Sequence, residues 1–228
     1  VKKTNKYSLS KLFRAAKIWW IMLKLICLIW WDSLEWNYLK GYNEYNKKRR
    51  QEIRAKWITT KFLNLGSAFI KLGQLLSARP DLLPAEWVNQ LSRLQDKVPP
   101  FSLKKVESVI QSELGSRWGE IVDFEPKPLG AASLAQVHKA KLKNGREVVL
   151  KVQRPGLEKL FRLDLEVMQQ VAALIQCNPN WSKGRDFVGI AKESQRVLLR
   201  ELDFRIEAQY AARFRQQFLN EDNIIIPA

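Results

Sequence analysis

Lys71 and Gln74 stand three residues apart in the stretch Phe69-Ile-Lys-Leu-Gly-Gln-Leu-Leu, which is otherwise apolar. At this spacing they project from one side of a helix, and Gly73 between them removes side-chain bulk so that another element can approach closely. The result is a small polar patch on a dry face, suited to meeting a charged partner. The plainer reading is a snorkelling lysine beside a solvated glutamine. A second lysine, Lys151, closes the run Val148-Val-Leu-Lys, and a cation held there needs an acid to orient it. Candidate acids lie in Arg200-Glu-Leu-Asp-Phe-Arg-Ile-Glu. On a helix of about 3.6 residues per turn, Asp203 and Glu207 share a face, whereas Glu201 and Asp203 are about 200° apart. They cannot serve one small site equally well. The plainer alternatives are a strand lysine facing solvent and a solvated helix face whose ion pairs are worth about 0.3–0.5 kcal/mol each.

A hairpin and several helices must position these groups. Pro128-Leu-Gly-Ala-Ala-Ser-Leu-Ala-Gln-Val-His-Lys-Ala is a small-residue turn leading into an alternating strand, and Asn144-Gly145 is a two-residue turn signal. Arg146-Glu-Val-Val-Leu-Lys-Val-Gln alternates again, so residues 130–152 read as a hairpin with a small-residue loop at its mouth. Residues 46–77 read as one long helix or two, interrupted by Pro80 and Pro84, and residues 96–100 as a loop. Ser102 stands as a helix N-cap with Lys105 rather than Glu three residues on, a cap without a capping box; that helix stops at Gly115. Residues 156–176 and 186–218 read as further helices, and residues 223–227 as the start of a strand.

Lys71-Leu-Gly-Gln74, with the following Ser-x-Arg-Pro-Asp-x-Leu-Pro, resembles the Lys-x-Gly-Gln signature of the UbiB family, atypical protein-kinase-like proteins associated with prenyl-quinone biosynthesis. Gly130-Ala131-Ala132-Ser133 is similar to that family's Ala-rich loop, departing from it at Gly130 and at Ala135, where glycine is usual. Glu201-x-Asp203 followed by Glu207-Ala208 resembles its Glu-x-Asp motif, and the resemblance spans about residues 55–226. The resemblance implies a kinase-type nucleotide-binding hairpin. Residues 130–133 would cover the phosphates, small because a Cβ of any size would hold the backbone off the ligand. Lys151 would point at the α and β phosphates, with Glu207 as its partner. Glu201 or Asp203 would meet Lys71 and Gln74, so that the polar patch caps the nucleotide site. The implied cofactors are ATP and Mg2+. No His-x-Asp, Asp-Phe-Gly or Asp-Pro-His-Pro-Gly-Asn-like segment occurs, so metal ligands are expected beyond residue 228 and the chain reads as part of a longer protein.

The first 60 residues hold 14 Lys and Arg against 4 Asp and Glu, net +10 of the chain's +16. Within them residues 18–31 are apolar except for Lys24, a run of 14 residues that is too short to span a bilayer and lacks the small-residue cleavage site of a signal peptide. Tryptophans flanked by Lys2, Lys3, Lys6, Lys11, Arg14, Lys17 and Lys47-Lys-Arg-Arg50 suit an interfacial helix at a membrane surface. The alternative is a helix buried against the rest of the chain or against a second copy in a homo-oligomer. Nucleic acid is not an expected partner, because the aromatics cluster with aliphatics and no nucleic-acid-binding motif is present.

At 228 residues and 46% hydrophobic content the chain can bury a core. The expected fold is α+β and mostly helical: a membrane-interfacial segment over residues 1–45, a helical extension over 46–120, and a kinase-like N-lobe with a small antiparallel sheet over 121–228. Cys27 and Cys177 lie far apart, form no metal-ligand spacing and suggest a reducing compartment, cytoplasmic or organellar. His138, the sole histidine, is expected to pack on a strand, and zinc or Ser-His-Asp chemistry is excluded for this chain. The whole protein would bind Mg-ATP and support handling of a prenyl-quinone lipid, as a kinase or ATPase. The other reading is a non-catalytic membrane lipid-binding or scaffold module with a vestigial kinase-like lobe.

Overall fold

The computed structural model describes residues 2–38, 41–94, 99–182, 184–221, 223, 224 and 226, with side chains from residue 9 onward. The Lys2, Lys3 and Lys6 side chains, most of the loop expected at 96–100, and Ile225 and Pro227 of the strand expected at 223–227 lie outside these. The helices are α1 (Lys2–Asp32), α2 (Glu44–Leu65), α3 (Ser67–Ser77), α4 (Ala85–Leu91), α5 (Leu103–Leu114), α6 (Leu157–Gln176), α7 (Pro179–Ser182), α8 (Phe187–Arg200) and α9 (Phe204–Gln217). The strands are β1 (Ile121–Phe124), β2 (Gly130–Ala131), β3 (Ala135–Leu142) and β4 (Glu147–Gln153). The molecule is mostly helical with one small antiparallel sheet, the architecture of a kinase-like N-lobe.

In the sheet β3 is central. It pairs with β4 from Ala135↔Gln153 to Lys141↔Glu147, and with β1 and β2 in turn along its other edge. The β3–β4 turn falls at Asn144-Gly145, where Gly145 takes the positive φ of 81° that such a turn requires. His138 and Gln136, both fully buried on β3, satisfy each other: Gln136 donates to His138 Nε2 at 2.9 Å, and His138 Nδ1–H donates to Glu125 O at 2.9 Å. The single histidine is therefore a packed strand residue with both ring nitrogens partnered. Helix α5 covers the sheet through Val106 and Ile110 against Val152.

The larger core lies among the helices. Ile18, Ile21 and Met22 of α1, at spacings of three and four, pack with Ile58 and Phe62 of α2, Phe69 and Leu72 of α3, and Phe161 and Leu165 of α6. The apolar run at 18–31 thus divides: its inner face belongs to this core, while Trp20, Trp30 and Trp31 on its outer face are 59%, 51% and 43% exposed. The side-chain fork of Arg14 on α1 holds both oxygens of the buried Asp164 on α6 at 2.5 Å and also donates to Leu65 O at 2.8 Å. At the other end of α1, Asp32 accepts from Arg50 and Arg54 of α2. No described helix is long and apolar enough to cross a membrane.

Three local expectations are corrected. Residues 186–218 are two helices, because Asp203 caps α9 by accepting from Arg205 N, so the shared helical face assumed for Asp203 and Glu207 does not exist. The Ser102 side chain makes no cap bond; its carbonyl accepts from Lys105 and Val106 instead. The described residues Asn223, Ile224 and Ile226 form no strand where one was expected to start. The stretch at 46–77, one helix or two by its sequence, is two, parted at Gly66, whose φ of 92° L-residues rarely adopt.

Gly73 has the role its spacing suggested. A Cβ there would drive into Leu94 Cδ1 and come within 3.1 Å of Phe62 Cδ2, both in the core. Gly73→Ala is expected to destabilise the chain by about 1–3 kcal/mol through overpacking, read as a lower urea midpoint with an unchanged denaturant slope.

Candidate nucleotide site

Where α3, the sheet and the α8–α9 junction meet, a cleft of about 580 Å³ opens, lined by Lys71, Lys151, Glu201, Asp203, Glu207 and the loop after β2. Each wall has a local cause. Strand β4 brings Lys151 opposite Val137 by its register with β3. Gln153, two residues on, donates to Leu202 O at 2.7 Å and so draws the α8–α9 junction against the sheet. With Asp203 as cap, α9 starts there and carries Glu207 over the strand.

Lys151 Nζ lies 2.7 and 2.6 Å from the two Glu207 carboxylate oxygens, and 4.5 Å from the centre of the Phe204 ring. The pair is half-exposed at 42% and 61%, so an approaching anion can reach the ammonium. Across the cleft Lys71 Nζ meets Glu201 Oε2 at 3.4 Å. Helix α3 thereby closes one side of the opening with a second ion pair. The Arg205 guanidinium bonded to Asp203 holds that carboxyl below its ordinary range. Asp203 is thus bound to a cap and to Arg205, and of the two acids in the Glu-x-Asp motif it is Glu201 that meets Lys71.

Two expected members of the site lie elsewhere. Gln74 points away from the cleft and donates through Nε2 to Leu94 O at 2.9 Å, pinning the chain after α4. Gly130 and Ala131 are in β2, paired with Val137 and Gln136, and do not line the cleft; a Cβ on Gly130 would meet nothing within 4 Å. Only Ala132 and Ser133 of that foursome reach it, followed by Leu134 and Ala135. The turn needed residues on both sides to pair with β3 first, and this consumes its leading half.

Sequence reasoning missed how the loop is held. Ser67 Oγ, at the start of α3, donates to Ser133 O at 2.6 Å, and Arg154 donates through Nε to Ala132 O at 3.1 Å and through its backbone N–H to Leu134 O at 2.9 Å. A serine following Gly66 reads as a helix start, and nothing local says that its hydroxyl leaves the helix. Phe204, Arg200 and Tyr210 also line the cleft, and Arg200 donates to Tyr210 Oη at 3.2 Å.

A nucleotide fits this arrangement: the cleft offers the Lys151 ammonium, the small-residue backbone of Ala132 and Ser133 and the Phe204 ring. Among the described residues no group of three or more His, Cys, Asp or Glu side chains could hold a metal ion.

Residues 93–228 match the model of the ABC1 atypical kinase-like domain. An uncharacterized protein of Synechocystis sp. is 44% identical over 222 residues, 97% of this chain and 38% of its own length. In Arabidopsis thaliana the protein named Activity of bc1 complex kinase 7, chloroplastic, is 42% identical over 96% of this chain and 31% of its own. A probable protein kinase UbiB of Cellvibrio japonicus is 41% identical over 72% of this chain and 30% of its own. The chain thus spans little more than a third, or less, of the curated relatives it matches. With its small sheet, its helical extension and a lysine and glutamate joined across the cleft, the chain belongs to the ABC1 family of atypical kinase-like proteins, among them UbiB.

Proposed function

We propose that the cleft binds Mg-ATP and that the chain supplies the nucleotide-binding part of a UbiB-like atypical kinase or ATPase, whose turnover supports prenyl-quinone biosynthesis or handling at a membrane surface. The observation that carries this reading is the Lys151–Glu207 pair under the 132–135 loop. A lysine oriented by an acid beside small-residue backbone is the arrangement that sets a fixed cation against nucleotide phosphates. The Lys71–Glu201 pair on the opposite wall narrows access for a protein acceptor, which favours ATPase or small-lipid chemistry over protein phosphorylation. Titration of the full-length protein with a fluorescent ATP analogue and Mg2+ tests the reading; saturable binding competed by ATP supports it, and none at millimolar analogue ends it.

The membrane part rests on the outer face of α1. Leu12, Phe13 and Trp20 on it are 67%, 73% and 59% exposed, and Trp36, in the turn beyond the helix, is 75% exposed, all beside a strongly basic segment. Aromatic rings at headgroup depth with flanking lysines suit an anionic bilayer surface facing a reducing compartment. Cys27 and Cys177, both exposed free thiols, fit such a compartment. The same face also supports the second reading, a lipid-binding scaffold with a vestigial lobe. Replacing Trp20 and Trp30 together with Ser is expected to weaken binding to anionic phospholipid vesicles about tenfold or more, with a further loss as salt rises. Vesicle binding equal to that of the parent protein in a co-sedimentation assay would remove α1 from the membrane contact.

A further inference from the structure

We propose that Ser67 and Arg154 are positioning residues that set the small-residue loop over the nucleotide cleft, an inference that rests on the reading of that cleft as an ATP site. Three successive carbonyls of the loop, those of Ala132, Ser133 and Leu134, are each claimed by one of these two residues. Neither Ser67 nor Arg154 lines the cleft, so the loop is gripped from outside it. All peptide bonds among the described residues are trans. In a trans peptide the C=O and N–H are fixed in opposite directions, so holding consecutive carbonyls fixes the planes of the peptides that face the ligand.

The grip joins parts far apart in sequence. Ser67 is 66 residues from Ser133, and both are buried, at 9% and 0% exposure. Arg154 is itself braced: its Nη2 donates to Pro99 O at 2.7 Å and its guanidinium lies 5.3 Å from the centre of the Phe101 ring. Leu134 anchors one end of the loop in the core, but Ala132 and Ser133 before it carry no large side chain, and the height of their backbone above a ligand is left to the hydrogen bonds on their carbonyls. Phosphate binding by backbone depends on that height, because hydrogen bonds weaken steeply with distance and angle. The helical extension, which lines the cleft directly with Lys71, therefore also acts on the loop from outside the cleft, through one hydroxyl.

The test uses the full-length protein, a fluorescent ATP analogue with Mg2+, and a temperature at which every variant is fully folded. Ser67→Ala is expected to weaken analogue binding about five- to tenfold, the scale of one lost buried hydrogen bond. Ser67→Thr, which keeps the hydroxyl, is expected to recover most of that loss. Arg154→Lys should weaken binding similarly, and the two losses should be less than additive because both hold one loop. Affinity within twofold of the parent in Ser67→Ala overturns the proposal, as does a loss that Thr fails to recover. If Ser67→Ala does not fold, Arg154→Lys carries the test, and parental affinity in it overturns the proposal equally. A parent protein that binds no analogue overturns the cleft reading itself and the proposal with it, an outcome distinct from parent-like binding by the variants.

Discussion

Lys151→Met in the full-length protein is expected to lower nucleotide-dependent turnover about 10²–10³-fold, the usual consequence of removing a fixed charge from where transition-state charge develops. Methionine keeps an unbranched stem against Phe204, which lies under the ammonium, and deletes only the cation. Stability should scarcely change. The Lys151–Glu207 pair is exposed by roughly half on both sides, and such pairs contribute about 0–1 kcal/mol. Loss of turnover with an unmoved thermal midpoint therefore separates a functional lysine from a structural one. Turnover and ATP affinity unaffected by the change, with vesicle binding intact, would hand the chain to the scaffold reading.

The largest effect on stability is expected at the other end of the molecule. Arg14→Ala leaves Asp164, 1% exposed, as a buried carboxylate without its guanidinium, a change that costs about 3–5 kcal/mol. That is a large share of the ~5–15 kcal/mol by which domains are stable, and Leu65 O loses its donor as well. The deficit should depend on pH in a defined direction. Burial raises the Asp164 carboxyl above its ordinary value of 3.8, opposed only by Arg14. A carboxyl whose folded value is raised favours the fold fully below the unfolded value, and that contribution is lost as pH rises through the folded one. Without Arg14 the folded value rises further and the loss deepens. The gap between Arg14→Ala and the parent protein should then be widest near neutrality and narrow as pH falls toward 3.8, measured as urea midpoints across that range. A gap independent of pH would show that packing around Arg14, not its charge, joins α1 to α6. The double change Arg14→Met with Asp164→Leu should recover much of the loss, since apolar groups of similar volume can replace a buried pair.

Both effects arise from contacts between elements, and this is where reading the chain alone was weakest. The hairpin was legible because turn chemistry and alternation are properties of neighbours: Asn144-Gly145 and the flanking strands stand where expected. The close approach at Gly73 was legible for the same reason, as an absent side chain inside an apolar helix. The partner of Lys151 came from the resemblance of residues 201–208 to a family motif and not from spacing, since the two residues lie 56 apart. Gln74 was placed in the wrong company: helical spacing says which residues share a side, and the packing of α4 decided that Leu94 O would take its amide. Asp203 was assigned to a helix face because propensity ran unbroken through 186–218, whereas its own carboxylate ends that run by capping α9.

Local order, the basic and aromatic character of the N-terminus and the hairpin itself were carried by residue types and short spacings, while the part proposed for its lysine came from the family resemblance. What only tertiary structure decided is which of these meet. Ser67 grips Ser133, Arg14 grips Asp164 and Lys71 meets Glu201 across separations of 66, 150 and 130 residues, the last being 201 minus 71. Such pairings follow from how helices dock, and docking is chosen by the summed burial of many apolar faces that no short window contains. The run at 18–31 shows the division most plainly. Its composition suited both a membrane and a core, and only the docking of α1 on α2, α3 and α6 determined which face served the core and which was left outward.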